Sequence, residues 1–411
     1  MPILLEEDLR RPLPRMYRVR QQFDETRLED VAGTVRAEFA KPEIRALVKP
    51  GMRIAVGVGS RGIQNLYTIV ETTVNSLKEL GAEPFIVSAM GSHGGGTEEG
   101  QREVLAGYGI TEERLGVPVV TTVDTVYLGN CANGRPVWFD RAAYEADLIV
   151  PINRVKLHTD FVGPIQSGLC KMLVIGLGNH KGCSAVHEEA PEVFADAIEE
   201  TARLILQKAP VGFGIAILEN AYDKTYAVEA VPAEHLVERE KELVQIAKGN
   251  MPYIMLDEAD VIVCGAIGKD ISGAGFDPNI LGRSSVLKQF VLHIPRYQRL
   301  VLCDVTPASH GNGIGVGLFD VITKKVAEQL DLESVYANAI ACNCLGDASV
   351  PCTVDDEETA IRVALKCCRN IDRDHPRIIR IQNTLHLGEI EVSEALLDAV
   401  RADSRMSLIE N

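Results

Sequence analysis

The chain has 411 residues, 46% apolar and 24% charged, enough to bury more than one core without covalent staples. Acidic residues outnumber basic ones 58 to 42, and a net charge of −16 excludes attraction to a phosphate backbone as the basis of function, so no nucleic-acid partner is expected. No apolar run reaches the ~18 residues of a membrane span, and the ten cysteines, without repeated C-x-x-C spacing, read as reduced and mostly buried thiols.

The first segment, "MPILLEEDLRRPLPRMYRV", has acidic residues and prolines where a signal peptide needs a basic flank and an apolar stretch, so a cytoplasmic protein is expected. A β-branched run, a polar Gly-rich turn and a helical segment then recur. "RIAVGVGSRGIQN" leads into the helical "LYTIVETTVNSLKELG", closed by Gly81. "PFIVSAMGSHGGGTEEG" leads into "QREVLAGYG", and "DLIVPINRVKLH" runs toward "GLCKMLVIGLGNHKGCSAVH", residues 168–187. "VFADAIEETARLILQK" has helical spacing, and the charged helix "VPAEHLVEREKELVQIAKGN" ends at Gly249 and Asn250. The pattern restarts with "ADVIVCGAIGKDISGAGFDPN" and "RLVLCDVTPASHGNGIGVG". The expected fold class is therefore α/β, with two α/β domains of mostly parallel strands and a ligand cleft between them. The expected domains are residues 1–255 and 256–394, with a helical tail, 395–411, that could pack on either.

Open α/β sheets bind ligands beyond the carboxyl ends of their strands, where Arg61, His93, His158, Lys269, Asp270 and His310 fall. "GVGSRGI" and "MGSHGGG" match neither a P-loop nor a dinucleotide fingerprint. His93 sits among residues too small to bury it, which favours an accessible imidazole over a core histidine. Asn153, Arg154 and Lys156 precede His158, and nearby cations depress an imidazole's pKa toward a neutral base, although a loop-bridging histidine fits equally well. Lys171 lies among Met172, Leu173, Val174 and Ile175; an apolar setting favours an uncharged, nucleophilic amine, against the ordinary reading of a lysine that snorkels to solvent. His180, Cys183 and His187 could supply soft metal ligands or be core residues. "GKDISGAGFDPNILGR" is either a structured turn or a closing loop in which Lys269 or Arg283 meets an anion.

Together, Arg61 in its Gly-rich turn, His93 in "GSHGG", His158 after the third strand, Lys171 in its apolar run and His187 resemble, in order and approximate spacing, the nickel-pincer lactate racemase family. The resemblance covers about the first 250 residues. "PINRVKLHTDFVGPIQSGLCKMLVIG" also resembles an uncharacterised group of related proteins. The racemase resemblance implies an isomerase, a racemase or epimerase of a 2-hydroxy acid. It implies a nickel-pincer nucleotide, a pyridinium-3,5-bisthiocarboxylic acid mononucleotide, attached through a thioamide to Lys171, with His187 as nickel ligand and His180 as its rival. His93 and His158 become the catalytic bases on opposite faces of the substrate. Val58, Gly59, Ser60 and Arg61 become cofactor contacts, although Val58 stands where the family has aspartate. Lys288, with Ser285 in the place of a glutamine, meets the substrate carboxylate, and Lys269 is an alternative. Implied partners are the small-molecule substrate, cofactor-biosynthesis proteins and a second copy in a homo-oligomer. Two other readings stay open: a non-catalytic metal- or nucleotide-binding homologue, and an unrelated enzyme acting on a phosphorylated small molecule.

Overall fold

A computed structural model describes residues 3–59 and 62–410. The chain divides into two units, one formed by Glu25–Met251 and the other by the residues before Glu25 together with those from Pro252 onward.

The unit Glu25–Met251 is built on a six-stranded sheet in the order Val119–Val120, Glu83–Ser88, Arg53–Val58, Leu148–Arg154, Phe213–Glu219, Thr225–Pro232. Every neighbouring pair is parallel except the last. The near-continuous apolar runs follow from burial on both faces: Ile54, Val56, Val150, Ile152, Ile215 and Ile217 are buried on one, and Ala55, Ile149 and Ala216 on the other. Each such valine or isoleucine side chain contributes about 1.5–3 kcal/mol. The helix Leu66–Glu79 places Ile69, Val70, Val74 and Leu77 in the same core. Gly81 follows it in the left-handed conformation at φ 84°. A separate ribbon pairs Thr125–Asn130 with Pro136–Asp140.

The other unit has an eight-stranded mixed sheet. Its parallel part runs Cys352–Val354, Val321–Thr323, Arg299–Leu302, Val261–Cys264, Ile378–Ile381. The antiparallel part adds Glu389–Ser393, Met16–Gln21 and Met406–Leu408. The first strand of the chain therefore belongs with the C-terminal residues, because Met16–Gln21 pairs on one side with Glu389–Ser393 and on the other with Met406–Leu408. The tail is helical only over Leu397–Ala402 before it becomes that last strand. The domain expectation of residues 1–255 thus differs at its start, and the observed break, after Met251, follows the helix Leu236–Asn250. Among the described residues no helix is long and apolar enough to cross a membrane, and all ten cysteines are free.

Candidate functional site

Three parallel strands of the unit Glu25–Met251 end close together. Ala89, just past Glu83–Ser88, donates its amide to the Val58 carbonyl at 2.8 Å. A Cβ on Gly59 would lie 2.3 Å from the Ala89 carbonyl oxygen, so only glycine admits this approach. Val58 itself points into the core and is fully buried, leaving only its backbone at the strand end. Ser60 and Arg61 lie outside the described residues. Beyond them, Arg154 donates to the Gly62 carbonyl at 3.0 Å and to Glu219, and Glu219 accepts the Gln64 amide.

His93 is exposed on the next turn, its amide bonded to the Met90 carbonyl at 3.0 Å. Gly91, at φ 59°, turns the chain there, and its amide donates to the Gly176 carbonyl at 3.0 Å. The His93 turn thus lies on the segment that follows Lys171. Ser92 reaches toward the same segment, 4.0 Å from Cys183 Sγ.

The third strand, Leu148–Arg154, continues into a loop closed by reciprocal backbone bonds between Lys156 and Ser167. The buried Asn153 donates to the Gly168 carbonyl at 2.7 Å, and buried Gln166 accepts the His158 amide at 2.8 Å. These contacts hold His158 against Lys171: Nε2 and Nζ are 2.6 Å apart. His158 also stacks on Phe161 with centroids 4.2 Å apart. Burial first, then the charges of Lys171 and Lys156, holds its imidazole well below the ordinary range, and burial likewise lowers the Lys171 ammonium, partly opposed by Asp160 and Cys183.

The hydrogen bonds assign the protons. His158 Nδ1 accepts the Asp160 amide N–H at 3.1 Å, so a neutral ring carries its proton on Nε2. Nε2–H then donates to Lys171 Nζ, which can accept only as an uncharged amine. The arrangement around Lys171, a burial that lowers its ammonium and a ring N–H aimed at Nζ, is one that favours the uncharged amine.

Lys171 closes the short helix Leu169–Lys171, and the next turn, Met172–Gly176, is wound as a π-helix in which the Leu177 amide reaches back to the Met172 carbonyl. The helix Asn179–His187 follows. Its last residue, His187, donates from Nδ1 to the Cys183 carbonyl one turn earlier at 2.7 Å, which leaves the lone pair on Nε2 for a ligand. Its Nδ1 is also 3.5 Å from Cys183 Sγ. Burial raises the Cys183 thiol, but the bond and charge of His187 outweigh it and lower the pKa; His187 is raised, chiefly by that same bond. Phe161 packs on Phe194 and Phe194 on His187, so an aromatic row joins the two imidazoles. His180 is exposed on the same helix. His180, Cys183 and His187 do not converge: among the described residues no group of three or more His, Cys, Asp or Glu could hold a metal ion.

The candidates of the C-terminal unit are engaged locally. Lys269 donates to the Gly273 carbonyl at 2.6 Å and to Asn338, Asp270 accepts from Thr306, and Arg283 pairs with Asp320 at 2.6 Å. Lys288 and Ser285 are exposed on one loop. Sequence reasoning missed Gln166, Asp160 and Glu240. Glu240 could have been found: among Leu236, Val237, Leu243, Val244 and Ala247 it occupies the apolar face of its helix.

Residues 14–196 match the family model described as lactate racemase N-terminal domain. No curated protein matches the chain. Among solved structures, the lactate racemase apoprotein from Thermoanaerobacterium thermosaccharolyticum shares the fold, with a TM-score of 0.54 at 13% identity over 89% of this chain and 93% of that one. A structural-genomics protein from Thermotoga maritima aligns with a TM-score of 0.43 at 14% identity, over 58% of this chain and 64% of that one. The matched residues hold His93, His158, Lys171 and His187, and over that stretch the chain is similar to the lactate racemase N-terminal domain.

Proposed function

We propose that the chain is a nickel-dependent racemase or epimerase of a 2-hydroxy acid, working by reversible hydride transfer in the cytoplasm. The observation that carries this reading is the Lys171 amine held 2.6 Å from His158 Nε2 in a buried setting that lowers its pKa. An amine that is uncharged at neutral pH can bond covalently to an electrophilic carbon, which a solvated ammonium cannot do.

The residues present fit a tethered nickel-pincer nucleotide. Lys171 would anchor it, and His187, with Nδ1 held by a backbone carbonyl, would offer Nε2 to the metal. Bound there, the group supplies a carbon that takes a hydride and returns it. The chain supplies the rest. His93 and His158 would each remove or return the proton of the substrate hydroxyl, one for each enantiomer. The Gly-rich turns at Gly59 and Gly91 would present backbone N–H groups to phosphate. Lys288, with Ser285 beside it, would meet the substrate carboxylate; Lys269 is less suited, since Asn338 and the Gly273 carbonyl already take its ammonium.

The test is co-expression with a cofactor-assembly pathway, followed by intact mass, metal analysis and a chiral assay on a panel of 2-hydroxy acids. The expected result is an adduct mapped to Lys171, stoichiometric nickel, and interconversion of the two enantiomers of at least one acid. Lys171→Ala should carry no adduct. An adduct on Lys156 or Lys181 would overturn the assignment, and a protein without nickel or adduct after co-expression would overturn the reading.

A further inference from the structure

We propose that covalent modification of Lys171 switches His158 from hydrogen-bond donor to acceptor, with the Asp160 carboxylate taking over the other ring nitrogen. This rests on the reading of Lys171 as an attachment site.

In the unmodified chain both ring nitrogens are committed. Nδ1 receives the Asp160 amide at 3.1 Å, and the Nε2 proton is given to the Lys171 amine at 2.6 Å. Neither offers a lone pair to a hydroxyl, so in this state His158 is not yet a base. Acylation or thioacylation changes the lysine nitrogen. Its lone pair is drawn into the new carbonyl or thiocarbonyl, one N–H remains, and that nitrogen can now only donate.

Two donors then face each other across the same short gap. The conflict is relieved when one proton leaves Nε2 for solvent and another arrives at Nδ1, with no net change in charge. Nε2 then accepts the lysine N–H, and an N–H of this kind yields the lone pair to a substrate hydroxyl, which a fixed Nε2–H could never offer. The Asp160 amide, 3.1 Å from Nδ1, must turn away as Nδ1 gains its proton, and Nδ1–H then meets Asp160 Oδ2, which already lies 4.0 Å away. A charge-assisted N–H···O bond is roughly twice as strong as the neutral bond it replaces. Asp160 is on this account a positioning residue, acting through His158.

The probe is cyanate, applied to the unloaded full-length protein. Isocyanic acid adds to an uncharged amine: the lysine N–C bond forms, one amine proton moves to the reagent nitrogen, and nothing leaves. Peptide mass mapping gives the rate at Lys171 against exposed Lys208, and long-range 1H–15N correlations of histidine-labelled protein report the tautomer, assigned by the signal lost in His158→Gln. Lys171 should react at least about tenfold faster than Lys208 at neutral pH. His158 should be Nε2–H before modification and Nδ1–H after it. Lys171→Met, which removes the acceptor without adding a donor, should keep Nε2–H, and Asp160→Asn should lose most of the Nδ1–H population in the modified protein. Equal labelling of the two lysines, an unchanged tautomer after modification, or an Nδ1–H ring in Lys171→Met would each overturn the proposal. No cofactor is involved, so failure here beside a nickel-loaded racemising enzyme removes the switch alone, while success beside a chain that never takes nickel removes the racemase reading and keeps the switch.

Discussion

Glu240 Oε2 accepts the Cys170 amide N–H at 2.8 Å, so a carboxyl group on the helix Leu236–Asn250 holds the residue next to Lys171. Glu240 is fully buried, and burial pushes its carboxyl up to about 7 against an ordinary 4.5. A carboxyl raised in the folded state binds its proton more tightly than in the unfolded chain. Stability is therefore full below the unfolded pKa and falls as pH rises from about 4.5 through about 7. The loss is on the order of 3 kcal/mol. Glu240→Gln keeps an acceptor for the Cys170 amide and removes the titration. Denaturation midpoints at pH 5 and pH 8 should differ more in the natural chain than in Glu240→Gln; equal pH dependence would show that the carboxyl is not the cause.

His187 and His180 share one helix and differ in how their rings are held. The Cys183 carbonyl fixes the His187 proton on Nδ1, and a fixed tautomer is what a metal-binding imidazole needs. In cofactor-loaded protein, His187→Ala should lose most of its nickel while retaining the Lys171 adduct, and His180→Ala should keep both. Metal analysis and intact mass separate the cases. The assignment fails if nickel follows His180.

Much of this arrangement was legible in the chain because local patterns set it. The β-branched run Arg53–Val58, the helix ending before Gly81 and the helix ending at Asn250 are written in adjacent residues. What was not legible depends on distant partners. Met16 pairs with Ser393, and nothing within the first strand encodes that register. Lys269 in its polar loop was a candidate to meet an anion, yet Asn338, on the helix Leu332–Ala341, accepts from it. The Lys171 run suggested an uncharged amine, but the partner that favours one, His158 with its Nδ1 held by the Asp160 amide, lies outside that run.

Gly91 and Gly95 flank His93 and test how firmly its turn is held. Both have positive φ, 59° and 70°, where an L side chain costs about 1–2 kcal/mol. They differ in surroundings: a Cβ on Gly91 would lie 2.9 Å from the Ile175 carbonyl oxygen, while one on Gly95 meets nothing within 4 Å. Gly95→Ala should therefore cost about 1 kcal/mol. Gly91→Ala should cost more, about 2–3 kcal/mol, since it also pushes the turn off the segment after Lys171. Chemical denaturation compares them, and equal losses would mean that this contact does not hold the turn.

The two histidines make the most exacting prediction. If His93 and His158 attend opposite faces of a 2-hydroxy acid, each enantiomer needs one to take the hydroxyl proton and the other to give it back. Replacing either by alanine should abolish conversion in both directions, a loss of at least about 10²-fold, the lower end of what a positioned acid or base contributes. Nickel and adduct should be unchanged in His93→Ala, since on this reading Lys171 and His187 hold them. Isotope labelling then tests the chemistry itself. A hydrogen that leaves the α-carbon as hydride and returns to its other face never mixes with solvent, so a substrate carrying deuterium there should keep most of its label through many turnovers. A hydrogen removed as a proton exchanges with water, and mass spectrometry of recovered substrate distinguishes the two. Rapid washout in the holoenzyme would rule out hydride transfer, and full activity in either alanine variant would rule out the two-base assignment.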